Sequence, residues 1–334
     1  FTTIGEIKNL VVENAKVSGR LNVGVVAGTP YTSKFNTITV QGHIEVDGMA
    51  YVGGVGGKNA YADWTNITVN VDETSYVNAN SVEGSKAYRT YVGGVCGFNG
   101  EGGHSFTNIT SNIDVKGSTC DVGGLFGIAH YGNNFENCSC SGDVEIYAAE
   151  AEVAQEIGGI AGVWNNGGAD VVFTNCTFTG TLKTDIAVDF YYGGLVGKPY
   201  SATGTGKLII DGYEMVANGV GMKDGEYYIQ SVTGLKWLAE QVNGGNNFSK
   251  KVVKLAADLD LNNEEWTPIG TSSKPFNGTF DGQNKKISNL VITGNKSDVG
   301  LFGRTNDGEI KNLVVENAKV VGRLNVGVVA GTPY

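Results

Sequence analysis

A six-residue glycine motif, close to V-G-G-[VIL]-x-G, recurs along this chain at irregular intervals. Its seven occurrences begin at Val23, Val52, Val92, Val122, Ile157, Tyr192 and Val326. A second motif alternates with it and consists of an aromatic or aliphatic residue, any residue, asparagine and an apolar residue. This second motif begins at Ile7, Trp64, Phe106, Phe135, Phe173, Ile287 and Ile310. Two short motifs that alternate across insertions of variable length indicate a repeat in which each unit packs only against its neighbours.

The residues after each motif asparagine alternate between apolar and polar, as in Ile67-Thr68-Val69-Asn70-Val71. This period of two is typical of a strand with one buried face. Stacking such units predicts an aromatic column of Phe35, Trp64, Phe106, Phe135 and Phe173, and an asparagine column of Asn66, Asn108, Asn137 and Asn175. Asparagine tolerates sharp turns, and stacked amides hydrogen-bond to one another. The predicted fold is an all-β, right-handed parallel β-helix, with the 51 glycines interpreted as repeated tight turns.

The stretch 213–268 breaks this pattern. Val232, Leu235, Leu238 and Val242 recur at helical spacing, and Gly244-Gly245 supplies a stop. We therefore predict β-helix coils over 1–212, a connecting segment over 213–231 and a short capping helix over 232–245. Residues 246–334 are predicted to hold a cap strand and the first coils of the next unit.

One segment of the sequence occurs twice, almost unchanged. Gly5–Tyr31 and Gly308–Tyr334 differ at one of 27 positions, Ser18 against Val321, and are offset by 303 residues (308 − 5). This duplication predicts one period, plus overlap, of a longer tandem array. The expected partners are other copies of the unit, in tandem or end to end.

Composition narrows the class of protein. A net charge of −10 argues against a nucleic-acid partner, since no basic stripe is present to replace phosphate counterions. No run of 18 apolar residues marks a membrane span. The five cysteines lack zinc-site spacing, and the sequence contains neither H-E-x-x-H nor G-x-S-x-G. We expect a non-enzymatic protein that uses no metal and no cofactor.

The loops that join each glycine motif to the next aromatic residue lie at the same point of every repeat, so they should line one corner. They carry aromatic and asparagine side chains, a combination suited to sugar rings. The candidate ligand-binding residues are Tyr61, Phe98, Tyr131, Trp164, Asn165 and Tyr200. The alternative is that asparagine and glycine serve the turns and the aromatic rings fold over the corner.

The stretch "EWTPIGTSSKPFNGTFDGQNKKISNLVITGNKSDVGLFG" (Glu265–Gly303), together with the two motifs, resembles bacterial GLUG-motif repeat proteins. The resemblance implies a secreted or surface-attached protein of the adhesin type, and it supplies no catalytic residues. The predicted function is an extracellular adhesin, stalk or fibre segment that binds host or environmental glycans or surface proteins.

Two chemical alternatives stay open. A carbohydrate-active enzyme, a polysaccharide lyase or hydrolase on a β-helix, would need acids converging in a groove, and His104, Asp121 and His130 fall in neighbouring repeats. Asp258 and Asp260, followed by Asn262 and Glu264, have the alternating spacing of calcium ligands but lack the glycine of an EF-hand loop.

Overall fold

The computed structural model describes residues 5–31, 33–80, 90–100, 102–118, 121–147, 156–184, 194–199 and 204–334. Strands dominate these residues, and they contain one α-helix. The chain divides into two compact units, Phe1–Gly212 and Tyr213–Tyr334.

The strands of the first unit are short, and apart from the long β1 and β3 they span two to eight residues. They are β1 Gly5–Ser18, β2 Leu21–Gly24, β3 Ser33–Gly48, β4 Ala50–Gly53, β5 Gly56–Asn59, β6 Trp64–Val71, β7 Tyr76–Asn80, β8 Tyr91–Gly93, β9 Cys96–Asn99, β10 Ser105–Ser111, β11 Asp114–Ser118, β12 Asp121–Gly123, β13 Phe126–Ala129, β14 Asn134–Glu136, β15 Ser139–Cys140, β16 Val144–Ile146, β17 Ile157–Gly158, β18 Ala161–Trp164, β19 Val171–Thr174, β20 Thr177–Phe178, β21 Leu182–Thr184 and β22 Leu208–Ile210.

All strand pairs described in this unit are parallel, and like motif positions pair with like. Phe35 of β3 pairs with Trp64 of β6, which pairs with Phe106 of β10. The series continues through Phe135 of β14 to Phe173 of β19. The predicted aromatic column is therefore confirmed. Its rings are fully buried, and three of the four steps are stacked pairs, with centroids 4.5–5.0 Å apart.

The predicted asparagine column is confirmed as well. Asn66, Asn108, Asn137 and Asn175 all have φ between 53° and 56°, the left-handed region that asparagine tolerates. Each amide nitrogen donates to the amide oxygen of the preceding asparagine, at 3.0 Å from Asn108 to Asn66, 3.1 Å from Asn137 to Asn108 and 3.3 Å from Asn175 to Asn137. We call this row the asparagine ladder. It fixes the turn and links the repeats at the same position.

The glycine motif is required for close backbone packing as well as for tight turns. Gly94 and Gly124 do not have positive φ, yet a Cβ on Gly94 would lie 2.3 Å from the carbonyl oxygen of Gly124. A Cβ on Gly124 would lie 2.1 Å from the carbonyl oxygen of Gly159. Glycine is needed because the backbone of the next repeat occupies the space of a side chain.

The second unit contains both antiparallel and parallel pairs around the helix. Its elements are β23 Tyr213–Ala217, β24 Val220–Lys223, β25 Glu226–Ile229, α1 Val232–Gly244, β26 Val252–Leu255, β27 Leu259–Asp260, β28 Thr279–Asp281, β29 Lys286–Ser288, β30 Val291–Ile292, β31 Ser297–Val299, β32 Phe302–Arg304, β33 Glu309–Lys311, β34 Val314–Glu316, β35 Lys319–Val320, β36 Leu324–Val326 and β37 Ala330–Thr332.

Helix α1 occupies the segment with helical spacing. The Ser231 hydroxyl accepts the backbone N–H of Gly234 at 3.2 Å, and Gly245 ends the helix with a φ of 117°. Leu235, Leu238 and Val242 are fully buried in a core with residues of the following strands. β23, β24 and β25 pair antiparallel, and from β25 onward the described pairs are parallel.

The two copies of the duplicated segment bend at the same places. The φ angles of the matching asparagines are 53° and 51° at Asn9 and Asn312, 52° and 54° at Asn14 and Asn317, and 54° and 53° at Asn22 and Asn325. The two copies differ in whether their strands pair with a later or an earlier strand of the chain. β1 pairs with the strand that follows it, β3, whereas β33 and β34 pair with strands that precede them, β28 and β29.

Candidate functional site

The corner residues differ in accessibility. Tyr61 is 46% exposed and Tyr131 is 36% exposed, whereas Trp164 is buried at 8%. Phe98 is half-buried and packs against Tyr51 and Tyr91, with ring centroids 4.9 and 5.2 Å away. Tyr200 lies outside the described residues. Tyr61 and Tyr131 are thus the candidate rings that a ligand can reach at this corner, although each also packs on a neighbouring ring, with centroids 5.7 Å from Tyr31 and 4.3 Å from His130.

The corner asparagines are mostly inside. Asn59, Asn99 and Asn133 are completely buried. The Asn59 amide donates to the Asn99 amide oxygen at 3.1 Å, and the Asn133 oxygen accepts the backbone N–H of His104 at 2.9 Å. The Asn165 amide lies 3.1 Å from a ring nitrogen of His130. These amides support the turns, so a ligand at this corner meets chiefly the tyrosine rings.

The other sequence candidates have local partners. A ring nitrogen of His104 lies 3.4 Å from Asp63, and the Asp121 carboxylate accepts the backbone N–H of Glu156 at 2.9 Å. Asp260 accepts from the backbone of Asn262 at 2.8 Å, and Asp258 accepts from that of Lys286 at 2.9 Å. No cluster of three histidine, cysteine or acidic side chains that could hold a metal ion is found within the described ranges.

A polar surface on the second strand of each repeat escaped the sequence analysis. Its outward residues come from the end of β3 and from β7, β11 and β16, which pair in parallel register. The alternation in "HIEVDG" (43–48) and "YVNAN" (76–80) was the available signal. It did not reveal which polar residues become neighbours, because loops of unequal length separate these strands.

At the edge of this surface, His43 lies between two carboxylates. Its ring nitrogens are 2.9 Å from Glu45 and 3.2 Å from Asp72. Hydrogen bonds to Glu45 and then to Asp72 raise the pKa of His43. Hydrogen bonds from Lys16 and His43 lower the pKa of Glu45 to about 2.

The same contacts argue against a nucleophile at this edge. Thr74 lies 3.0 Å from His43, but its hydroxyl donates to Asp72 at 2.8 Å, and that bond is the largest cause lowering the pKa of Asp72 to about 2. The Thr74 hydroxyl therefore donates its hydrogen bond to the Asp72 carboxylate and not to the imidazole of His43. The cluster ties β3 to the turn before β7.

Apolar exposure is concentrated on the duplicated segments. Ten of the thirteen exposed large hydrophobic side chains among the described residues belong to them. Leu21 and its counterpart Leu324 are 59% and 58% exposed. Each copy thus carries an uncovered apolar surface and, within the described residues, one strand edge without a backbone partner.

The chain is 34% identical over 132 residues to Halomucin of the archaeon Haloquadratum walsbyi. The match covers 36% of this chain and 1% of that protein, so the chain spans a very small part of the relative it matches. No protein-family model matches the chain, and no solved structure matches it. The part of the chain that the structure describes holds no helix with the length and hydropathy of a membrane span.

Proposed function

We propose that this chain is a repeating segment of a non-enzymatic extracellular or cell-surface protein, acting as a stalk, fibre or adhesin scaffold. Its coils would form a right-handed parallel β-helix of the GLUG-motif kind. The parallel register, the asparagine ladder and the glycine contacts support this fold. Similarity to a small part of Halomucin supports a surface location.

The observation that carries the proposal is the exposed apolar surface on both copies of the duplicated segment. A soluble single domain rarely leaves such a surface open, and a repeat unit covers it with the next unit. The copies pair on opposite sides, one with the strand after it and one with the strand before it. An internal copy in an array would be paired on both sides.

Amide hydrogen exchange tests this directly. A chain that repeats residues 5–307 twice, followed by 308–334, contains one internal copy of the segment and two end copies. We expect the internal copy to be protected at amides that exchange freely in the end copies, because it gains a second strand partner. An internal copy that exchanges as fast as the ends would contradict the array.

We further propose that Tyr61 and Tyr131 contact glycans at the corner. Each stacked ring contributes about 1 kcal/mol, so one corner binds weakly and an array gains affinity through many sites. A double Tyr61→Ala, Tyr131→Ala variant should lose retention on a glycan surface, whereas Val216→Ala, an exposed apolar side chain of β23 outside the corner, should not. Equal retention by both variants would leave the corner a purely structural feature.

A further inference from the structure

Four neighbouring strands of the first unit present one continuous row of polar side chains. Asp47 pairs with Asn78, Asn78 with Lys116, and Lys116 with Glu145. Neighbouring strands lie about 4.8 Å apart. The row therefore sets a carboxylate, an amide, an ammonium and a second carboxylate at regular intervals across the sheet.

These side chains line a groove of about 360 Å³. Two tyrosines complete its wall, and the lining residues are Asp47, Tyr76, Asn78, Lys116, Glu145 and Tyr147. Small-molecule sites commonly have volumes of roughly 300–1,000 Å³. The groove has room for a sugar-sized ligand.

One wall of the groove is held in place by hydrogen bonds. The Tyr76 hydroxyl and the Asn78 amide each donate to the Asp47 carboxylate at 3.0 Å, and the Tyr147 hydroxyl donates to the Asn78 oxygen at 2.8 Å. Burial and the bond to Asp47 raise the pKa of Tyr76 to about 12, so its hydroxyl keeps its proton at neutral pH. A wall fixed in this way loses little freedom when a ligand binds.

Lys116 and Glu145 form the open part of the groove. They are register neighbours, yet neither has a hydrogen bond or ion pair to any residue that the structure describes. An ammonium only donates and a carboxylate only accepts, whereas a hydroxyl does both. A ligand with adjacent hydroxyls would satisfy both groups at once.

We propose that this groove binds a neutral glycan segment, with hydroxyls bridging Lys116 and Glu145 beside the ring of Tyr147. Lys183, the other register neighbour of Glu145, is neutralised by an ion pair with Asp143 at 2.6 Å. The two carboxylates and one ammonium of the lining therefore leave it net negative, which disfavours uronic-acid and sulfated chains. The groove shares no residue with the corner of Tyr61 and Tyr131. It is a second site that goes beyond the proposed function.

The spacing of the acids suits binding and not hydrolysis. Asp47 and Glu145 are three strand spacings apart, roughly 14 Å. The carboxylate pairs of glycosidases lie about 5–9.5 Å apart. Both Asp47 oxygens also accept hydrogen bonds from neighbouring side chains. This pair does not match the acids required by the alternative of a carbohydrate-active enzyme.

The test compares three double variants of the full chain. The groove variant is Lys116→Gln, Glu145→Gln. The matched control is Lys286→Gln, Glu316→Gln, which removes a 3.3 Å ion pair of the same residue types in the second unit. The third is the corner variant Tyr61→Ala, Tyr131→Ala. The probes are arrayed neutral oligosaccharides of glucose, galactose, mannose and N-acetylglucosamine, with uronic-acid oligosaccharides beside them, and calorimetric titration of each glycan bound.

We expect the wild type to bind a neutral glycan and the groove variant to bind it at least about tenfold more weakly, a loss of about 1.4 kcal/mol. The control should bind as the wild type does. Thermal unfolding checks that each variant folds. Tyr147→Phe, which removes one hydroxyl, provides a milder change with a smaller expected loss.

Three outcomes would contradict the proposal that the groove binds a neutral glycan. They are unchanged affinity in the groove variant, binding of uronic-acid chains only, and no glycan bound by the wild type. If the corner variant alone loses binding, the groove proposal fails and the corner proposal stands. If the groove variant alone loses binding, the reverse holds.

Discussion

The two units use the same backbone turn with different side-chain acceptors. In the first unit, Asn108 and Asn137 donate to the amide oxygen of another asparagine. In the second, Asn289 donates to Asp260 at 2.7 Å and Asn312 donates to Asp281 at 3.0 Å. All four asparagines have φ between 51° and 58°. The two units therefore share the backbone geometry of this turn but differ in the residue that accepts the hydrogen bond of the asparagine.

This difference decides whether a row of side-chain hydrogen bonds can continue from one repeat to the next or ends there. An amide both donates and accepts, so a row of asparagines extends by one hydrogen bond with each added repeat. A carboxylate accepts only, so an aspartate takes a bond from the next repeat and passes none on. The first unit thus has a neutral, extendable row, and the second has short pairs that carry charge.

The largest effect is expected from breaking the aromatic column. Phe135 lies between Phe106 and Phe173, with centroids 5.0 and 4.6 Å away, and is fully buried. Phe135→Ala should lower the free energy of unfolding of the first unit by about 3–5 kcal/mol through the cavity it leaves. Urea unfolding followed by hydrogen exchange in each unit measures this, and Phe135→Leu should lose much less. Equal loss of protection in both units would contradict a column confined to the first.

Filling the glycine contact should come next. Gly124→Ala places a methyl group against the backbone of Gly159 and should cost about 1–3 kcal/mol. Gly168→Ala is the matched control, since a Cβ there meets nothing within 4 Å. Thermal unfolding of the two variants should differ clearly, and similar curves would show that neighbouring repeats can separate to admit a side chain.

Breaking the asparagine ladder should have an effect comparable to that of Gly124→Ala. Asn108→Ala removes two exposed amide hydrogen bonds and places alanine at positive φ, which together should cost about 2 kcal/mol. Asn108→Gly removes the same bonds but keeps the backbone relaxed. In denaturant unfolding, we expect Asn108→Gly to lose roughly half as much stability as Asn108→Ala. If glycine restored wild-type stability, the ladder bonds would contribute nothing beyond the turn.

The smallest effect concerns pH. Although burial opposes it, hydrogen bonds from Gln283 and Asn312 hold the pKa of Asp281 below its ordinary value. A lowered folded-state pKa contributes stability that is present above the unfolded pKa, about 3.9, and is lost as pH falls through the folded value. Acid should therefore weaken the protection of backbone amides around Asp281. The asparagine ladder of the first unit should not respond in this way, because its side-chain amides do not titrate. Hydrogen exchange between pH 5 and 2 tests this.

A matched variant sharpens the comparison. Asp281→Asn gives the second unit the chemistry of the first, with an amide that still accepts from Asn312. The acid sensitivity at this turn should then disappear while the fold is kept. Persistence of the same pH dependence in Asp281→Asn would assign it to another carboxylate.

Much of the first unit was readable from the sequence. The aromatic and asparagine columns follow from motif spacing alone, since each motif carries its own turn and its own core residue. Thr37 shows the limit of that rule. It occupies the asparagine position with a φ of 57°, and the neighbouring Asn36 supplies the amide oxygen to Asn66 at 3.5 Å. The motif fixed the turn, and packing selected the hydrogen-bond partner.

The groove and the aspartate acceptors could not be read in this way. Lys116 and Glu145 become neighbours only after the loops set the register of β11 and β16. Asp260 and Asp281 precede their asparagines by a whole repeat and belong to neither of the two repeating motifs. The corner asparagines suggested a ligand surface, yet buried turns and binding sites use the same residues. Composition does not separate the two uses.

The hydrogen bonds of the asparagine ladder all run in one direction, each from the later residue to the earlier one. Their amide dipoles therefore add along the row, as peptide dipoles add along a helix. One end of the row presents donors and the other presents oxygens, so the two ends are electrically unlike. Two molecules meeting donor end to oxygen end would gain a hydrogen bond, whereas two like ends would set partial charges of one sign against each other. A filament assembled from such units would have one polarity along its whole length.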